Sequence, residues 1–182
     1  MSSILKVDQL QDSGGNNLVT SNGSGVITSS AFGKVLQVVS FVSNTQVSTT
    51  ADFGSTGNAT GIKASITPSS TSSKIFINST GSFKLQSDGT NSNKIGLFGI
   101  KDNTGSSLIY KTRCGAMLSA SNKDFYGNLA MNYLHSPNST SSQEYEITFG
   151  RFSSTYNNTV FVNADSSSYH SSITLMEILA WL

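Results

Sequence analysis

KIFINST, Lys74 to Thr80, puts Ile75 and Ile77 on one face of an extended chain and Phe76 on the other. Side chains alternate across a strand with a period of two, so this stretch predicts a strand with one apolar face. GIKASIT, Gly61 to Thr67, does the same with Ile62, Ala64 and Ile66. Pro68 follows, and because proline cannot donate to a sheet ladder the strand is expected to stop near Thr67.

The pattern continues on both sides. KVLQVVSFVS, SFKLQ, KIGLFGIKD, SLIYKTR, DFYGNLAMNYLH, EYEITFGRFS, TVFVNA and SSITLMEILAWL all read as strands. Between them lie SDGTNSN, KDNTGSS, HSPNSTSS and SSTYNN, clusters of turn-forming residues. In the last strand Ile173, Leu175 and Glu177 face one way, and Thr174, Met176 and Ile178 the other. Helical spacing is almost absent. About eight to ten short strands at this spacing predict an all-β fold, an antiparallel β-sandwich of jelly-roll type, over residues 34–182. Phe41, Phe76, Phe98, Phe149 and Phe161 are assigned to its core.

Composition narrows the function. The chain has 182 residues and a formal net charge of +1, and only 12% of it is charged. Ser, Thr, Asn and Gly make up close to half of it. The basic residues are scattered, so no electrostatic footprint for nucleic acid is expected. No apolar run approaches the ~20 residues of a membrane-spanning helix, and the first residues lack the apolar core of a secretory signal. No membrane insertion is expected. Cys114 cannot form an internal disulfide and reads as a small buried hydrophobe.

Residues 1–33 differ from the rest. QDSGGNNLVT and TSNGSGVITS each join a Gly/Asn turn to an apolar pair, and Leu10, Leu18 and Val26 recur at even spacing. One copy of such a segment cannot bury these side chains by itself, whereas copies around a threefold axis can stack them in layers. This segment is therefore expected to be an extended attachment and trimerisation element.

Leu5, Lys6, Val7, Asp8, Leu10, Gln11 and Asp12 form a pattern that resembles the N-termini of small virion proteins of tailed bacteriophages, especially those of marine bacteria and cyanobacteria. ITPSSTSSKIFI (Ile66 to Ile77) and ITLMEI (Ile173 to Ile178) are similar to further phrases of those proteins, in the same order. The resemblance implies a tail-fibre-like structural protein on the phage particle surface, a homotrimer in contact with other virion proteins. On that view Ile4, Leu5, Val7, Leu10, Leu18 and Val26 are the docking and oligomer contacts, and the β-rich head projects outward. A capsid decoration protein is one alternative. A receptor-binding module for host surface glycan is another, with Phe125, Tyr126, Tyr156 and Tyr169 as the aromatic residues set among amides and hydroxyls.

No catalytic constellation is apparent, and the chain is expected to be neither an enzyme nor dependent on a metal or cofactor. Glu144 and Glu146 share a predicted strand face, the one place where paired carboxylates could arise, and are read as a solvated face. Arg151 is a candidate surface ion-pair partner. His135 and His170 lack the neighbours that a metal site needs.

Overall fold

A computed structural model gives the fold and describes residues 9–21, 23–24, 27–28, 35–87, 93–117, 124–156, 158–163 and 169–179. Ile4, Leu5, Val7, Val26 and the tryptophan Trp181 lie outside the described residues. The chain divides into two compact units, Met1–Lys34 with Ala180–Leu182, and Val35–Leu179.

In the first unit β1 (Gln9–Gln11), β2 (Asn17–Ser21) and β3 (Ile27–Thr28) form an antiparallel three-stranded sheet. The β1–β2 turn forms because Asp12 Oδ1 accepts the backbone N–H groups of Gly14 (2.8 Å) and Asn16 (2.9 Å), while Gly15 takes a φ of 81°. Leu10 pairs with Val19, next to Leu18. None of the described residues whose exposure is defined in this unit is buried.

The second unit carries β4 (Val35–Ser43), β5 (Val47–Thr49), β6 (Asn58–Ile66), β7 (Lys74–Ser87), β8 (Asn93–Asp102), β9 (Ser107–Met117), β10 (Phe125–His135), β11 (Gln143–Arg151), β12 (Asn158–Val162) and β13 (Ser171–Ile178). Among the eight longest, β4, β13, β7 and β10 are neighbours in one sheet, and β6, β11, β8 and β9 in the other. Every pairing is antiparallel. First strand beside last, third beside sixth, second beside seventh and fourth beside fifth is the connectivity of a jelly roll. The short strands β12 and β5 extend the first sheet along the second half of β7.

The inner faces follow the alternation. Ile75, Ile77, Phe83 and Leu85 of β7, with Ile173 and Leu175 of β13, meet Ile62 and Ile66 of β6, Phe98 and Ile100 of β8, and Ile147 and Phe149 of β11. Each of these is nearly or fully buried and contributes roughly 1.5–3 kcal/mol by leaving water. The rings of Phe83 and Phe98 lie 5.1 Å apart and join the two sheets.

Three differences from the sequence reading have physical causes. KIFINST and SFKLQ are one 14-residue strand. Gly81 between them is no turn: it sits opposite Leu129, and a Cβ there would run into the Ser171 side chain. Phe98 and Phe149 are core residues, but Phe76 and Phe161 are half-buried and Phe41 is exposed, because their parity or edge position keeps them out of the interior. Phe53, in the turn before β6, is buried instead. It lies on the outer face of the second sheet, where Gly99 and Gly150 leave it room.

Candidate functional site

The outer face of the first sheet is organised in rows set by strand register. Val38, Met176, Phe76 and Leu134 stand opposite one another across β4, β13, β7 and β10. Val38 and Leu134 are about half exposed, at 55% and 47%. The next row is polar: the Ser40 and Thr174 hydroxyls share a hydrogen bond of 3.0 Å, and Asn78 Nδ2 donates to Asn132 Oδ1 at 2.6 Å. A third row holds Ser172, hydrogen-bonded to the Thr80 hydroxyl at 3.0 Å, with Ala130. Further along, the Lys84 ammonium lies 4.2 Å from the Phe161 ring centroid and 5.9 Å from that of Tyr126. Val35, Val38, Phe41 and Val42 are all exposed on β4, the edge strand of this sheet. An apolar edge of this kind is a template for association.

Beside these rows is a cleft of about 340 Å³. Thr80 and Ser82 of β7 and Asn128 and Ala130 of β10 line it, together with Tyr169 and His170 from the residues leading into β13. Ser82 faces Asn128 directly, and Thr80 faces Ala130. Tyr169 is about half exposed.

The structure separates the four aromatic candidates. Tyr126 and Tyr169 are exposed, Tyr126 one row beyond Asn128 on β10 and Tyr169 in the cleft. Phe125 points inward, its ring 5.8 Å from that of Phe83, and is a core contact. Tyr156 packs edge-on against Phe152 at 5.6 Å, away from the cleft-lining residues. Of the N-terminal candidates that can be placed, Leu10 is 55% exposed and Leu18 half-buried.

Glu144 and Glu146 are not a solvated pair. Asn103 Nδ2 donates to Glu144 Oε1 at 2.8 Å and to Glu146 Oε2 at 3.0 Å, and the Gly61 N–H donates to Glu146 Oε1 at 2.9 Å. Lys63 pairs with Glu144 at 3.2 Å. The Asn103 hydrogen bond, aided by Lys63, holds the Glu144 carboxyl below the usual range. Both carboxylates fasten the β8–β9 turn and β6 to β11. Arg151 pairs with Asp52 at 3.3 Å. His135 shares a 2.8 Å hydrogen bond with the buried Tyr145 hydroxyl, and burial lowers its pKa. Burial likewise raises that of the Cys114 thiol, which packs against the core. Among the described residues no group of three or more His, Cys, Asp or Glu is placed to hold a metal ion.

The least legible feature in the sequence is at Glu177. Its carboxylate is fully buried. Oε1 accepts the Ser69 N–H at 2.7 Å and the Ser69 hydroxyl at 2.6 Å, and Oε2 accepts Gln37 Nε2 at 2.6 Å. Gln37 also donates to the Thr67 carbonyl at 2.6 Å. Burial alone would raise the pKa of this carboxyl, but the hydrogen bonds from Ser69 and Gln37 outweigh it and bring the pKa to about 2. ITPSSTSSKIFI and ITLMEI, far apart in sequence, thus meet in one hydrogen-bonded lock that also holds edge strand β4. The inward parity of Glu177 was the available signal, since a buried carboxylate requires partners.

No known protein family and no curated protein matches the sequence. Solved structures that align with the chain include the T13 viral particle of infectious bursal disease virus, at 8% identity and a TM-score of 0.37 over 85% of this chain. The VP2 subviral particle of the same virus aligns at 9% identity and a TM-score of 0.34, also over 85%. An arabinose-bound α-L-arabinofuranosidase aligns at 9% identity and a TM-score of 0.26 over 82%. The chain spans 42%, 44% and 23% of those chains, respectively.

Proposed function

We propose that this protein is a non-catalytic virion structural protein of a tailed phage, tail-fibre-like, which docks through its N-terminal unit and presents the jelly-roll head. The observation that carries this reading is the N-terminal sheet, which has no buried residue among those whose exposure is defined and displays Leu10 to solvent. A three-stranded sheet without a core needs a partner for stability. Homotrimerisation around Leu10 and Leu18, with attachment to a neighbouring virion protein, supplies one. The neutral Ser/Thr/Asn surface and the carboxylates committed to hydrogen bonds fit a structural role.

A second reading, capsid decoration, is favoured by one specific observation. The apolar row Val38–Met176–Phe76–Leu134 and the exposed edge strand β4 offer the head its own interface. Adding back the full chain, or the chain without residues 1–33, to particles lacking the protein distinguishes the two. Fibre-like docking predicts that only the full chain incorporates. Decoration predicts that the head alone still binds. Failure of both to bind overturns the virion assignment.

A further inference from the structure

The cleft between β7, β10 and Tyr169 has a chemistry of its own. Its lining includes no Asp, Glu, Lys or Arg. Tyr169 offers an exposed aromatic face at one wall, and exposed Asn128 offers an amide with both donor and acceptor capacity. Ser82, directly opposite Asn128, also lines the cleft, but its hydroxyl oxygen is closed off from solvent. Thr80 adds a second hydroxyl, already engaged with Ser172. The volume of about 340 Å³ falls at the small end of ligand sites and suits a mono- or disaccharide. The nearest charged side chain along the strand, Lys84, lies against the Phe161 and Tyr126 rings.

We infer that this cleft is a binding site for an uncharged saccharide. A sugar ring stacks its C–H face on Tyr169, and its hydroxyls exchange hydrogen bonds with the exposed Asn128 amide. Tyr126, one row further along β10, extends the surface toward a second sugar unit. His170 is the one basic side chain in the lining, and with no Lys or Arg beside it the class proposed is neutral. The inference concerns the head alone and does not depend on the virion reading.

Saturation-transfer NMR on the purified full chain tests it, with glucose, galactose, mannose, N-acetylglucosamine and their disaccharides as probes and sialic acid as the charged comparison. Transfer to at least one neutral sugar is expected. The affinity should fall roughly tenfold in both Tyr169→Ala and Asn128→Ala. Both residues are exposed, so these variants keep the fold, which circular dichroism checks. Tyr156→Ala should bind as the parent does. No transfer to any neutral sugar overturns the site, and so does transfer that Tyr169→Ala and Asn128→Ala leave unchanged. Preference for sialic acid overturns the uncharged class.

Discussion

Replacing Glu177 by Gln or Ala should destabilise the head and change how its stability depends on pH. The carboxyl is drawn from its ordinary 4.5 to about 2 in the folded protein. That difference corresponds to about 3 kcal/mol of stability in the ionised form. Because the folded pKa is the lower one, this stabilisation is complete above about pH 4.5. It is lost as the pH falls towards 2, where the folded carboxyl also takes up its proton. Glu177→Gln keeps the shape but presents an amide NH2 to donors on one side, either Ser69 or Gln37, at a cost of about 2–3 kcal/mol at neutral pH. Glu177→Ala leaves all of those donors facing a void and should cost about 3–5 kcal/mol. Urea unfolding followed by circular dichroism at several values between pH 7 and pH 2 measures both effects. The parent should lose its advantage over Glu177→Gln as the solution is acidified, until the two curves converge. Curves that stay parallel throughout that range would refute the lock, as would a neutral-pH cost within error of zero.

Gly150→Ala should lower stability by about 1–3 kcal/mol, because its Cβ would lie 2.6 Å from Phe53 Cα, and thermal unfolding reads this directly. His135 should titrate below 6.5 in an NMR pH series, since burial opposes its charged form. The folded protein should therefore lose stability as the pH drops below 6.5, and His135→Gln should remove that part of the dependence. Light scattering of the full chain at several concentrations should give the mass of a trimer; a monomer throughout would remove the threefold packing. Val38→Lys should leave the unfolding midpoint of the head within about 0.5 kcal/mol of the parent, since Val38 is exposed. If the outer row is the decoration interface, the same change should abolish binding of the head to particles.

Parity was the most legible property of this chain. With one sheet face buried, a period of two tells inside from outside without a partner strand. It placed Ile75 and Ile77, Ile62 to Ile66, and Ile173, Leu175 and Glu177 correctly. The same rule applied to DFYGNLAMNYLH separates Phe125, in phase with Leu129 and Met131, from the exposed Tyr126. Where parity was not followed, as at Phe76 and Phe161, the core assignment was wrong. KIFINST and SFKLQ read as two strands, yet Gly81 between them marks a close approach, and the element that approaches it is 90 residues further along the chain.

The sequence by itself determined the all-β class, the strand faces and the neutral, hydroxyl-rich surface, because each depends on residue type and near-neighbour spacing alone. Only the tertiary structure decided which strands meet. The jelly-roll order, the Glu177 lock, the outer row of apolar residues and the Tyr169 cleft each join residues from distant strands. Their geometry arises from register and from the closing of the last strand between the first and third. Hydrogen-bond partners and shared faces at such separations are set by the packing of the whole sandwich, and no local pattern encodes them.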